Sequence, residues 1–441
     1  MLCENEDTDV RNTTIDSIVQ IGKMLSSEDF NKSYSTFLQD ISKDSWYPLR
    51  CSGAIISCQL YNQISKDDKS IFHKLFESHC KDQNIIVRRS FAQSLPFLIQ
   101  NQCPIDVVSN LLKLLSKDNS PSVLIELPNA LCSLPASESS LKLSISETIL
   151  GTNIWQAKSV LISNIDKIFS NTVPKDFLKA LSQKSSTDLL NTIRASIARQ
   201  LPYIYESNCF PDFNSFKDFS TPLLSDRDNN VRLSIAESLG QMPKAPKEFL
   251  DSSLTLLLGD SDQNVKLAAL KSVALTGCAL KAASQRLVQL TRINNWRVKR
   301  SVALLISEIA LTMDKNAFKN DVMKTVRNLL MDDANEVREA IIVGLKGVIK
   351  EYGNDWTKEN LIPLIEELYK SIDYQLRKTA VEAIIRLGLE NEMKNVLENA
   401  VDDPVTNVRL VLAKELKKGT KLLEKLKNDD DEDVRYFAAT K

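Results

Sequence analysis

The chain has two histidines, His73 and His79, six positions apart in one segment with helical periodicity. A helix carries side chains at that spacing on different faces, so they read as surface or partly buried residues. The acidic run Asp429-Asp430-Asp431-Glu432-Asp433 could suggest a cation site. It lacks EF-hand spacing and the glycine such a loop turns on, and it reads as a solvated turn entering a helix. Eight cysteines at 3, 51, 58, 80, 103, 132, 209 and 278 form no CxxC pair, which points to free thiols in a reducing compartment. No zinc-protease, nucleophile-elbow, dinucleotide or P-loop pattern occurs. No catalytic residue, metal site or cofactor is expected. The chemistry on offer is recognition: aromatic and basic residues grouped in short polar stretches, as in Asn294-Asn295-Trp296-Arg297-Val298-Lys299-Arg300.

The bulk numbers narrow the class. Of 441 residues, 43% are hydrophobic and 26% charged, enough for a large core in a soluble protein. A formal net charge of −1 argues against general nucleic-acid binding. The first residues have no basic and apolar signal-peptide pattern, and each apolar run is broken by polar residues before it could span a membrane. Glycine is scarce, at 11 residues, and strand signals are weak. The expected fold is all-α.

The elements that must position the recognition residues repeat. An apolar residue followed by Arg or Lys, just inside a helix, recurs at Arg11, Arg50, Arg88, Arg194, Arg232, Lys266, Lys299, Arg338, Arg377, Arg409 and Arg435, with weaker copies at Leu124 and Lys158. Neighbouring copies lie mostly about 32–39 residues apart, the last step being shorter. That is the range of two-helix repeats. Six positions before the basic residue stands Asp44, Asp82, Asp118, Asp188, Asp226, Asp260, Asp332, Asp403 or Asp429, in nine of thirteen copies. An Asp there can accept from the free N–H groups of the second helix and suits its positive end. The basic residue can reach the Asp of a neighbouring turn, giving a polar ladder. Each unit is therefore helix A, a turn bearing Asp, and helix B. Thirteen such units stack into a curved α-solenoid, expected to be a single domain over residues 1–441.

The unusual residues fall in the A–B turns. Three positions before the basic residue most copies carry Thr8, Asn191, Asn229, Gln263, Asn335 or Thr406, but four carry Tyr47, Trp155, Trp296 or Tyr374. Trp46 adjoins Tyr47, and the Trp155 and Trp296 copies have Thr152 and Ile293 in the Asp position. Exposed Trp and Arg dominate protein interfaces. Trp296 either meets a partner or folds back over its own turn. Lys281, Arg286, Arg292, Arg297, Lys299 and Arg300 follow one another with no acidic residue between 281 and 300, which makes either an acid-seeking patch or a solvated face.

These stretches resemble, in order, the scaffold (A, regulatory) subunit of protein phosphatase 2A, a HEAT-repeat protein. The resemblance rests on Asp44-Ser45-Trp46-Tyr47-Pro48-Leu49-Arg50, Val87-Arg88-Arg89, Trp296-Arg297-Val298 and Val337-Arg338-Glu339-Ala340. It continues through Tyr352-Gly353-Asn354-Asp355-Trp356, Asp403-Pro404-Val405-Thr406-Asn407-Val408-Arg409 and Asp433-Val434-Arg435-Tyr436-Phe437-Ala438. The resemblance implies a scaffold with no chemistry of its own. Its C-terminal turns, about 281–441, would hold a phosphatase catalytic subunit that carries its own metals. Its N-terminal and middle turns, about 1–280, would hold a regulatory B-type subunit. By motif match Trp296, Arg297, Tyr374, Asn407 and Tyr436 are candidates for the catalytic subunit, Tyr436 being core in the alternative. Trp46, Arg88, Arg89 and Trp155 are candidates for the regulatory subunit. Nucleic acid and membrane are not expected as partners, and the expected location is the cytoplasm, with the nucleus as a second compartment. The family's first two units have no counterpart, the last helix is short, and Gln156 and Leu124 stand where the family has basic residues. The competing readings are a nuclear-transport or other adaptor and, supported by the stretch 281–300 alone, a HEAT-like DNA glycosylase.

Overall fold

The computed structural model describes residues 3, 5, 7–170, 172–188 and 190–440, the side chains of 27 and 184–187 excepted. Among the described residues every regular element is helical, as the glycine-poor, strand-poor sequence requires. A helix-B element begins the series at Thr8–Met24. Twelve A–B pairs follow, from Ser35–Lys43 with Tyr47–Gln59 to Lys421–Leu426 with Glu432–Ala439. The chain is an all-α solenoid of HEAT-type helix pairs. Its contacts group into two compact units, residues 1–234 and 235–441.

The turn that joins A to B has a two-tier construction. All nine repeat aspartates accept a hydrogen bond from the backbone N–H two residues on, for example Asn84 to Asp82 and Val405 to Asp403 at 2.8 and 2.9 Å. That N–H belongs to the residue preceding helix B, so the Asp folds the turn rather than capping the helix as the sequence suggested. The cap is the next tier. Asn84, Asp262, Asn295, Asp373 and Asp431, four before the basic residue, accept from the first free N–H groups of helix B. Thr152 and Ser371 replace the turn Asp with a hydroxyl acceptor at 3.3 and 3.1 Å. Ile293 offers none. The apolar residue before the basic one is buried in eleven copies, from Leu49 to Val434, and so locks helix B to the core.

In the first unit the helices Tyr47–Gln59, Ile85–Gln100 and Leu127–Ser133 pack in sequence, and Trp155–Ser163 packs on Asn191–Arg199. The expected ladder is present. Arg50, Arg88 and Arg194 each donate through one terminal nitrogen to the carbonyl six residues back, and through Nε and the other terminal nitrogen to the next turn's carboxylate. Arg50 reaches Asp82 at 2.7 Å, Arg88 reaches Asp118 at 2.6 Å and Arg194 reaches Asp226 at 2.6 Å. Both side chains of the last pair are nearly buried, at 5% and 6% exposure. Burial raises the Asp82 and Asp226 carboxyls, but the arginine and the turn N–H outweigh it and hold both below the ordinary range.

In the second unit Gln263–Thr276, Trp296–Thr312, Asn335–Asn360, Tyr374–Arg386, Thr406–Glu415 and Glu432–Ala439 pack as consecutive neighbours. Trp296–Thr312 and Asn335–Asn360 pack closely. A Cβ at Gly344 would lie 2.4 Å from the Ala303 carbonyl oxygen, so glycine sets this spacing. Gly353, at φ 84°, kinks the long helix and turns Tyr352 and Trp356 onto Phe318. The ladder runs from Lys299 to Asp332, Arg377 to Asp403 and Arg409 to Asp429, each at 2.7 Å. With Ser371 in the next turn's Asp position, Arg338 donates instead to Thr379 Oγ1 at 2.9 Å.

Candidate protein-binding site

The residues that could have done acid, base or metal chemistry are otherwise engaged. His79 is buried against Phe91, and burial lowers it to about 4. It is more enclosed than the sequence suggested, because it faces the core beside Phe91. His73 shares a 2.8 Å hydrogen bond with the Tyr61 hydroxyl. Asp429 pairs with Arg409 and Asp431 caps the last helix, which divides the acidic run between structural tasks. No cluster of His, Cys, Asp or Glu among the described residues is arranged to hold a metal. Cys51, Cys58, Cys80, Cys103, Cys132, Cys209 and Cys278 are free thiols, and burial raises those of Cys58, Cys80 and Cys103, which makes them poor nucleophiles. No helix among the described residues is long and apolar enough to cross a membrane.

The recognition residues face outward. In the second unit Asn295 caps the helix by accepting from Arg297 and Val298 at 3.1 and 3.4 Å. That fixes Trp296 at the first helical position, beside the core rather than in it, and the residue is 39% exposed. The Arg297 guanidinium carbon lies 4.6 Å from its ring centroid, a stacked cation–π pair. Arg300 is exposed one turn along the same face. The remaining basic residues of the stretch divide. Lys299 joins the ladder, Arg286 donates to Gln289 Oε1 at 2.7 Å, and Lys281 and Arg292 are exposed.

Tyr374 and Asn407, from successive turns, come together. With Asn335, Arg338, Lys378 and Lys414 they line an open groove of about 510 Å³. Lys378 Nζ donates to Asn335 Oδ1 at 3.3 Å and lies 3.7 Å from Glu382. Lys414 Nζ sits 4.4 Å from the Phe437 ring centroid. Tyr436 is 62% exposed, which resolves its two readings in favour of the surface. Trp296 and Arg297 are not among the groove-lining residues. Lys378 and Lys414 escaped the sequence reading, although Lys378 is four residues after Tyr374 and so on its helical face. Ile372, fully exposed at the tip of the same turn, carried no helical periodicity to mark it.

In the first unit Trp155 opens its helix and is 42% exposed. Trp46 is half-buried, its N–H held by Asp44 at 2.7 Å. Arg89 is exposed and reaches Glu126 at 3.1 Å. Arg88 differs: its guanidinium is taken up by Asp118 and by the Asp82 and Gln83 carbonyls. Ile85 and Ile86 are exposed on the same turn. Ile85 holds the turn position of Trp155 and was missed because an isoleucine there reads as core.

The turns of this solenoid present aromatic and basic side chains to solvent, and the described residues form no metal-binding cluster. No family model matches the chain. Over 177 residues it is 25% identical to the A-type regulatory subunit of protein phosphatase PP2A from Schizosaccharomyces pombe, a match covering 38% of this chain and 30% of that protein. Among solved structures, the karyopherin Kap121p bound to Nup53p aligns with a TM-score of 0.65 at 14% identity. Kap121p bound to the extreme C-terminus of the protein phosphatase Cdc14p aligns with a TM-score of 0.64 at 13% identity. Both alignments cover all of this chain and 52% of Kap121p. The chain thus spans about half the length of Kap121p, and the structural likeness establishes the fold.

Proposed function

We propose that this chain is the non-catalytic scaffold of a protein phosphatase 2A-type holoenzyme. It is not an enzyme. The turns of residues 281–441 would hold the phosphatase catalytic subunit, through Trp296, Arg297, Tyr374, Asn407 and Tyr436. The turns of about 1–280 would hold a regulatory B-type subunit, through Trp46, Arg89 and Trp155, with Arg88 setting the turn that presents Arg89. The observation that carries the reading is the Trp296–Arg297 stack, outward-facing at the start of a B helix. It occupies the run Trp296-Arg297-Val298 that resembles the scaffold family's later turn. The similarity to the PP2A regulatory protein of Schizosaccharomyces pombe supports it.

A transport adaptor is the second reading, favoured by the full-length structural alignment with Kap121p. In either case the partners are proteins, and the cytoplasm with access to the nucleus is the fitting location. The test is capture of a protein phosphatase 2A catalytic subunit by this chain, beside Trp296→Ala and Arg297→Glu. Strong capture lost in both variants, with melting little changed, supports the scaffold. Absence of capture by the unaltered chain overturns it in favour of the adaptor.

A further inference from the structure

We propose that the groove over the turns of Asn335, Tyr374 and Asn407 binds an acidic segment of a partner protein in extended conformation. This rests on reading the face as a protein-binding surface and adds the chemistry of what lies in it.

Charge comes first. Arg338, Lys378 and Lys414 line the groove, against one carboxylate in its lining, Asp333. Lys378 has Glu382 at 3.7 Å, but that residue is buried and is not part of the groove lining. The groove therefore attracts anions although the whole chain carries a net charge of −1.

Shape and hydrogen bonding decide which anion. Three successive helices each contribute one amide: Asn335, Gln375 and Asn407. A side-chain amide offers a donor and an acceptor together, the pair that an extended main chain presents. Asn407 is exposed, whereas Asn335 already donates to Glu339 at 2.7 Å and accepts from Arg338 and Lys378 at 3.3 Å, so that it serves to hold Lys378 over the groove. Adjacent helices lie roughly 8–10 Å apart, so the three span nearly 20 Å, about six extended residues at ~3.3 Å each. A nucleic-acid strand would need a run of stacking platforms, and Tyr374 is the one aromatic ring in the lining.

The experiment uses the full chain and a fluorescein-labelled Glu-rich decapeptide, with a Lys-rich decapeptide and a twelve-nucleotide oligothymidylate as comparisons, read by anisotropy at low and high salt. The expected result is binding of the acidic peptide alone, weakened by salt. The double substitution Lys378→Gln with Lys414→Gln should weaken it roughly tenfold. Asn407→Asp, at an exposed position that leaves folding intact, should weaken it as well. No binding of the acidic peptide, binding unchanged in both variants, or equal binding of the oligonucleotide overturns the proposal. A chain that captures the phosphatase catalytic subunit yet ignores the peptide overturns the groove alone. A chain that binds the peptide yet captures no catalytic subunit overturns the scaffold reading and upholds the groove.

Discussion

Trp356 and Trp296 are the same residue type in opposite surroundings. Trp356 is 6% exposed and its ring lies 5.0 Å from Tyr352 and 5.8 Å from Phe318. Trp296 stands on a turn with Arg297 across its face. Trp356→Ala should therefore cost about 3–5 kcal/mol in urea unfolding, while Trp296→Ala should act mainly on partner capture. His79 makes a separate prediction at this scale. Its imidazole is lowered to about 4 by burial, against an unfolded value near 6.5. Between those values the unfolded chain binds a proton that the folded chain refuses, so stability falls as pH drops below about 6.5. At pH 5 the loss should be roughly 2 kcal/mol, and His79→Phe should remove it. A variant that keeps the slope would exclude His79 as its source.

At the scale of elements, helix spacing is set by what stands between them. The Ala303 carbonyl leaves no room for a Cβ at Gly344. Gly344→Ala should push Trp296–Thr312 and Asn335–Asn360 apart at a cost of roughly 1–3 kcal/mol, and so displace the Trp296 turn from the Asn335 turn. Reduced stability with weakened partner capture is the expected pairing. The ladder offers a graded comparison. Arg194→Ala strands the buried carboxylate of Asp226 and should cost about 3–5 kcal/mol. Arg89→Ala breaks a pair whose arginine is half exposed and should cost less than about 1 kcal/mol. Equal losses in thermal unfolding would show that burial is not what gives the rungs their value.

At the scale of the whole molecule the ladder acts as a repeated acid-sensitive element. Asp82, Asp226, Asp403 and Asp429 all lie below the ordinary carboxylate range, because an arginine and a turn N–H overcome the upward push of burial. A depressed carboxylate contributes stability above its unfolded value, near 4, and loses it as pH falls through its folded value. Acid unfolding should therefore steepen below about pH 4, after the shallower His79 decline. Replacing Asp403 with Asn should reduce that steepening and lower stability at neutral pH. Because each repeat in such a stack is stabilised by its neighbours, loss of one rung should destabilise the flanking helix pairs before distant ones, which hydrogen exchange can read.

The periodic part of this protein was legible in its sequence. Helix pairs, the buried apolar position and the ladder follow from residues at fixed offsets, because near neighbours along a helix and across a stacked repeat interact in the same way each time. The outward Trp155, Trp296 and Tyr374 were legible for the same reason, as departures from a pattern. What lay outside it needed coordinates. The turn Asp folds the turn, and a separate residue two positions on, such as Asn84, Asp262 or Asp431, supplies the cap where there is one, a distinction of one hydrogen bond that spacing does not carry. Arg88, a candidate binder by motif, is consumed by Asp118, while its neighbour Arg89 faces outward. Tyr436 is exposed, and Lys378 and Lys414 meet over one groove from different helices. These outcomes depend on which side chains from separate repeats converge, and that is decided by helix packing distances and rotation, which only the tertiary structure fixes.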